Sequence, residues 1–245
     1  MQNRETDFRT WRGTSLNVRV LFSAAGVAQH IWLSNRTGAL LVDTGDGALR
    51  DILSGGLDLE SLRGILFTHG HFDHMGGLHS LLGFLRMVGR TDAVPIYAPA
   101  GCVEVPRAVD LFRRCYHGTV PFSINYRELQ PGSCLQIVGM SIVAYPVVHC
   151  GSIEGSDALE PVPALGYRIT CEGDTVAITG DTGNCPGLKE LVRGADFAIL
   201  EATYEKSTDV DRESLEKVHL SEDVAREIGR LAREFILVHK APRPG

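Results

Sequence analysis

Thr68-His69-Gly70-His71-Phe72-Asp73-His74 places three histidines and a carboxylate within six consecutive positions, His69 to His74. A neutral imidazole is the commonest protein ligand for zinc, and carboxylate oxygen completes mixed nitrogen and oxygen sites. A lone histidine is ordinarily a surface or hydrogen-bonded core residue, but a cluster this dense points to metal-dependent chemistry. Four such side chains would crowd one face of a helix or alternate across a strand, so the spacing predicts an irregular loop. Gly70 is read as the residue that permits its sharp turn. The apolar Gly64-Ile65-Leu66-Phe67-Thr68 before the cluster reads as a short buried strand, and Gly76-Gly77 leads into an apolar-periodic helix over 78–88. Layered α/β proteins build their sites at such strand-to-helix junctions.

Strand-like stretches extend in both directions from this point. Upstream lie 16–23, 29–33 and 39–42, the last ending in Asp43-Thr44-Gly45-Asp46-Gly47, followed by a helix over 47–54. Downstream come a strand at 94–98 and a helix at 103–116 that carries Arg107, Arg113 and Arg114. A second block reads as strands at 124–129, 135–138, 140–148, 164–171, 175–179, 197–201 and 235–238, with helices at 187–193 and 221–234. Two strand-rich halves with covering helices predict a sandwich of two sheets with helices outside, in one domain spanning 1–245.

Bulk properties exclude several classes. Hydrophobic content of 44% with 22% charged residues is ordinary globular composition, and no apolar run reaches the length of a membrane-spanning helix. The segment Met1-Gln2-Asn3-Arg4-Glu5-Thr6-Asp7-Phe8-Arg9 lacks a secretory apolar stretch, so the expected compartment is cytoplasmic. A net charge of −6 gives no general attraction to a polyanion, and the arginines of 103–116, with Arg86 and Arg90, read as solvated helix surface. The six cysteines show no C-x-x-C spacing and read as reduced thiols, with Cys150 and Cys185 next to candidate site segments.

A metal site is assembled in space, so further ligands should end strands elsewhere. His149 follows Tyr145-Pro146-Val147-Val148, Asp181 sits in the turn Gly180-Asp181-Thr182-Gly183 after an apolar strand, and His239 follows Ile236-Leu237-Val238. Singly, each is explained by a capped turn or a strand-end hydrogen bond. Together they bring the total to five histidines and two aspartates, too many for one tetrahedral ion and suited to two metals sharing a carboxylate.

The pattern resembles the metallo-β-lactamase fold superfamily. Its signature His-x-His-x-Asp-His is present as His69, His71, Asp73 and His74; Asp43-Thr44-Gly45 is similar to its structural turn, and His149, Asp181 and His239 match its later ligand motifs. The resemblance covers nearly the whole chain and implies the αββα sandwich, two mixed β-sheets flanked by helices. It implies that His69, His71 and His149 hold one divalent ion, that Asp73, His74 and His239 hold a second, and that Asp181 bridges them. The expected metal is zinc, with manganese or iron as alternatives. Secreted two-zinc β-lactamases carry a cysteine where this chain has Asp181, which points to another subfamily.

Within the superfamily, the segments Pro163-Ala164-Leu165-Gly166-Tyr167-Arg168, Thr179-Gly180-Asp181-Thr182, Ala195-Asp196, Glu201-Ala202-Thr203-Tyr204, His219-Leu220-Ser221 and His239-Lys240-Ala241-Pro242-Arg243 are similar to the ribonuclease Z group of phosphodiesterases. That resemblance implies that His219 assists catalysis without binding metal, that Glu201 orients it, and that Asp73 and Asp181 offset the metals' charge. It implies a hydrolase that attacks phosphorus with a metal-bridging hydroxide while His219 donates a proton to the leaving oxygen. Only 150–180 separates the segments between which pre-tRNA-processing members insert a long arm, and Leu200 replaces their histidine before Glu-Ala-Thr. A phosphodiesterase without the tRNA-binding arm is therefore expected, with RNA still among its substrates and a homodimer among its open assembly states. The same ligands serve hydrolysis of another ester, a lactone, an amide or a sulfate, and an iron redox protein or a non-catalytic binding member is a further alternative. The pocket wall is expected from 23–30, 103–121 and 153–163. His30 is placed in a strand that could border it, His79 on a packed helix and His117 in a loop.

Overall fold

The structure is a computed structural model that describes residues 9–152 and 158–241. Residues 1–8, the 153–157 part of the expected pocket wall and Pro242-Arg243 lie outside the described residues.

A seven-stranded sheet runs in the order β1 (Arg9–Arg12), β2 (Asn17–Ala24), β3 (Ala28–Ser34), β4 (Ala39–Val42), β5 (Leu62–Leu66), β6 (Val94–Pro99), β7 (Ile124–Leu129). A six-stranded sheet faces it, with β8 (Cys134–Ile137) and β9 (Met140–Pro146) at one side, then β12 (Leu165–Cys171), β13 (Asp174–Ile178), β14 (Phe197–Glu201) and β15 (Glu234–Val238). The hairpin β10 (His149–Ser152) and β11 (Leu159–Val162) stands apart as a two-stranded sheet.

Strand periodicity explains the layering. Residues Ala28–Leu33 of β3 and all of β4 are buried, so both faces of the strands are covered. Ile31, Leu33, Leu40 and Val42 point into the core between the sheets, where they meet Tyr167, Val176, Ile178 and Ile199. Their neighbours Trp32, Ala39 and Leu41 face outward against α1 (Ala48–Ser54), α3 (Leu78–Met87) and α4 (Glu104–Cys115). On the second sheet Ala177, Ala198 and Leu200 pack outward under α5 (Pro186–Val192) and α7 (Glu222–Gly229). The result is the expected αββα sandwich. No helix among the described residues is long and apolar enough to cross a membrane.

Three expectations change. The strand at 124–129 is β7 and joins the first sheet, parallel to β6, because α4 makes a crossover that returns the chain to that sheet. The expected helix over 221–234 stops at Gly229, where a Cβ would lie 2.6 Å from the Phe235 ring, and the chain turns to place Glu234 beside Phe197 in β15. The polar loop before it contains α6 (Arg212–Lys217), whose start is capped by the Asp211 carboxylate accepting from Ser214 N at 2.8 Å.

β4 and β5 run parallel, as do β13, β14 and β15, and β9 shares the direction of β13 because both are antiparallel to β12. The carboxyl ends of these strands deliver Asp43, the Thr68–His74 segment, His149, Asp181, Glu201 and His239 to one end of the sandwich.

Candidate metal centre

Asp43 organises the first-sheet half. It sits just past β4 with φ +61°, a left-handed backbone that is uncommon outside glycine. Its Oδ1 accepts from Thr68 N at 2.8 Å, and its Oδ2 accepts from Thr68 Oγ1 at 2.9 Å, Gln29 Nε2 at 3.1 Å and His74 Nδ1 at 2.8 Å. The cluster is only partly the irregular loop expected: His69 to His71 are loop, but Asp73 and His74 lie on a one-turn helix, α2 (Phe72–Met75), with His71 as its N-cap. Gly70 also serves differently. It does not have a positive φ; a Cβ there would meet Glu104 Oε2 at 2.2 Å and Cys102 Sγ at 2.9 Å, so the residue lets the start of α4 pack against the loop.

The second sheet brings three more ligands. His149 opens β10, Asp181 follows β13, and His239 follows β15 with φ +52°. The ring nitrogens of His69, His71 and His149 form one convergent group, and those of His74 and His239 form another with carboxylate oxygens of Asp73 and Asp181. Asp181 lies between the groups: its Oδ2 is 3.8 Å from His69 Nε2, and its Oδ1 is 3.3 Å from His74 Nε2 and 3.4 Å from His239 Nδ1. The sandwich thus brings together all seven ligand positions predicted from sequence.

Hydrogen bonds at the outer ring nitrogens fix which nitrogen faces inward. His149 Nδ1–H donates to the Val218 carbonyl at 2.9 Å and His74 Nδ1–H to Asp43, leaving each Nε2 with its lone pair toward the cluster. Those lone pairs meet other nitrogens, His149 Nε2 standing 3.2 Å from His71 Nδ1 and His74 Nε2 3.3 Å from His239 Nε2. His69 Nε2 and Asp181 Oδ1 are buried with no hydrogen-bond partner among the described residues. Orphaned buried acceptors in a cluster of imidazole and carboxylate donors are costly unless a cation sits among them, so the donor set fits divalent ions.

Electrostatics agree with that fit. Burial pushes His69 well below the ordinary imidazole range and His149 down to about 4, so both are neutral donors. Burial opposes charge on His74 too, but Asp181 and Asp43 override it and raise its pKa well above normal, marking a place that favours positive charge. Burial alone would raise Asp181; the surrounding His74 and His239 hold it well below the usual carboxylate range.

His219 stands beside the cluster, its ring centroid 5.2 Å from that of His149 and 5.6 Å from that of His239. Its Nδ1–H donates to Glu201 Oε1 at 2.9 Å. Glu201 is buried at the end of β14 and also accepts from Thr182 N at 2.9 Å, Thr203 N at 3.1 Å and Thr203 Oγ1 at 3.0 Å. Burial disfavours charge on His219, yet the Glu201 carboxylate outweighs it and lifts the pKa to about 9.

Sequence reasoning gave no role to Thr203, Thr182, Gln29 or Tyr204. Thr203 Oγ1 is also 3.2 Å from His239 Nδ1, and the Tyr204 ring meets the His219 ring edge-on at 5.9 Å. Their nearness to Glu201 and Asp181 in sequence was the available signal. His30 does not border the site: it is fully buried, with Nε2 2.9 Å from Asp51 Oδ2 of α1, on the helix side of its strand. His79 packs against Phe112 and Tyr116 as expected of a helix residue. Cys150 is a buried free thiol beside His149, and Cys185 Sγ lies 4.0 Å from Thr182 Oγ1.

Comparison with known proteins agrees with this architecture. A family model described as a β-lactamase superfamily domain matches residues 39–239, which include every ligand candidate. The ribonuclease Z of Acaryochloris marina is 28% identical over 252 aligned positions, covering 86% of this chain and 79% of that protein. The ribonuclease Z of Mycolicibacterium paratuberculosis is 33% identical over 173 positions, covering 65% of this chain and 58% of the relative. Among solved structures, the short form of human tRNase Z superposes with a TM-score of 0.74 at 21% identity, over 92% of this chain and 93% of the other, a likeness of fold.

Proposed function

This chain belongs to the metallo-β-lactamase superfamily, and from that premise we propose that it is a two-metal hydrolase of phosphodiesters, similar in chemistry to ribonuclease Z. One observation carries the reading: seven side chains of metal-ligand type, from both sheets, converge about the orphaned His69 Nε2 and Asp181 Oδ1. His69, His71 and His149 would hold one ion and Asp73, His74 and His239 the other, with Asp181 reaching both donor groups. Zinc suits this imidazole-rich set, and manganese or iron accept the same donor types. When bound, such a pair of ions polarises a phosphoryl group and acidifies water.

The protein's own residues supply the rest. Glu201 holds the Nδ1 proton of His219, so the Nε2 proton is the one free to pass to the leaving oxygen, after which the imidazole is neutral. Asp73 and Asp181 offset positive charge and fix the ligand geometry. The ribonuclease Z relatives favour a phosphodiester over other electrophiles, and RNA falls within that class.

The test is hydrolysis of bis(p-nitrophenyl) phosphate beside a p-nitrophenyl carboxylester, on protein of measured metal content. Diester turnover that disappears together with metal in Asp181→Ala is the expected result. Protein carrying two metals per chain that leaves the diester intact and cleaves the carboxylester would overturn the phosphodiester reading.

A further inference from the structure

The helix α6 and the two residues after it connect the proposed proton donor to a proposed metal ligand through one short piece of backbone. Val218 accepts the His149 Nδ1 proton on its carbonyl at 2.9 Å, and the next residue is His219. One peptide therefore fixes both the inward-facing nitrogen of His149 and the starting point of the His219 side chain. The end of α6 sets the position of that peptide, with Val218 N and His219 N both donating to Ser214 O, at 2.8 and 3.3 Å.

What holds α6 in place is the turn after Asp181. Asn184 N donates to Leu215 O at 2.8 Å, and Gly183 N donates to Val148 O at 2.7 Å, next to His149. Between these two bonds the backbones touch. A Cβ on Gly183 would lie 2.3 Å from both the carbonyl carbon and oxygen of Glu216 and 2.4 Å from Lys217 N, distances that real Cβ atoms do not reach. The obstacle is backbone, so no side-chain rotation relieves it. Thr182, on the other side of Gly183, gives its N–H to Glu201 and accepts Val148 N on its hydroxyl at 3.2 Å, completing the circuit.

We propose that Gly183 is a positioning residue, and that its missing side chain seats α6 so that a single peptide, Val218 to His219, aligns the His149 ligand and the His219 donor together. The assignment rests on the metal-hydrolase reading above. Its consequence is that metal binding and donor placement are linked: an ion drawing on His149 Nε2 strengthens the Nδ1–H bond to Val218 and so orders the segment that carries His219.

Two measurements test it. Backbone hydrogen exchange is followed in wild-type protein stripped of metal and reloaded with zinc; residues 212–219 are expected to gain protection by tenfold or more on loading, while β12 in the inter-sheet core changes little. In parallel, Gly183→Ala is compared with His219→Ala and with the double variant. Gly183→Ala is expected to lower turnover nearly as far as His219→Ala, to weaken zinc binding about 10- to 100-fold through His149, and to add little in the double variant. Zinc-loaded wild-type protein whose 212–219 exchange matches that of the stripped protein overturns the linkage, even if Gly183→Ala fails to fold. A folded Gly183→Ala with wild-type turnover and zinc affinity, or full multiplication of the two effects, overturns the positioning role. Failure of the wild type to bind zinc at all would instead strike the underlying metal reading.

Discussion

Glu201 is 1% exposed, yet its carboxylate has four hydrogen-bond donors around it: the Thr182 and Thr203 amides, the Thr203 hydroxyl and His219. The Glu201 carboxylate, through its charge and its hydrogen bond, outweighs the burial that would otherwise keep His219 neutral. The sign of the pH effect follows. His219, lifted to about 9, is protonated at neutral pH, and the donor form disappears as pH rises through that value. Glu201→Gln removes the largest influence that raises His219, leaving Asp181 alone against burial and His74, so the alkaline limb of the kcat/KM profile should move to lower pH, whereas His219→Ala should remove that limb and cost roughly 10²- to 10⁴-fold in turnover at neutral pH. A limb unmoved in Glu201→Gln would mean that another group controls it.

At the scale of elements, the turn from β1 to β2 depends on a strand of the opposite sheet. Asp174, the first residue of β13 and 8% exposed, accepts from Ser15 N and from Leu16 N at 2.9 Å, and Gly13 leaves room for its carboxylate. Burial alone would raise its pKa, but the amide donors hold it below the usual carboxylate value of 3.8. A depressed carboxylate stabilises the fold above that ordinary value and loses the contribution as pH falls through its folded pKa. Asp174→Ala should therefore cost about 1–3 kcal/mol in urea unfolding at pH 7, with the gap to wild type narrowing below about pH 4. A pH-independent gap would assign the loss to packing instead.

The same scale shows what the sequence could disclose. Strands buried on both faces are continuous apolar runs, as in 39–42 and in 197–200 ahead of Glu201, and the structure has strands over 39–42 and 197–201 as β4 and β14. The ligands were legible because six neighbouring positions carried four of them and because strand ends announce themselves by the change from apolar to polar. β10, β11 and α6 were not, since each is short, and β11 contains Pro161 and α6 has no buried residue. Their formation depends on partners distant in sequence: His149 pairs with Val162 across the hairpin, and Asn184 holds Leu215. Gly70 and Gly183 looked like turn residues for the same reason, although what each accommodates is the backbone or side chain of a remote helix.

For the whole molecule, the site is a junction between halves. His69, His71, Asp73 and His74 hang from the first sheet, while His149, Asp181 and His239 hang from the second, so both groups that contain the seven ligand candidates draw members from the two sheets. This end of the sandwich gathers four buried imidazoles and two buried carboxylates from both sheets, with His69 Nε2 lacking any hydrogen-bond partner among the described residues, and desolvating that set opposes closure of the two sheets. A metal that binds only the closed form stabilises it by mass action, about 2.7 kcal/mol at a hundredfold excess over its Kd. For a domain of this size each kcal/mol moves Tm by roughly 2–4 °C, so zinc should raise the melting temperature of stripped protein by roughly 5–10 °C, and a chelator should reverse it. Asp181→Ala removes a carboxylate that approaches both groups and should lose most of that rise, while Asp174→Ala, at the other end of β13, should lower Tm with and without zinc alike. A melting temperature insensitive to zinc and chelator would show that the sheets close without help from the donors gathered between them.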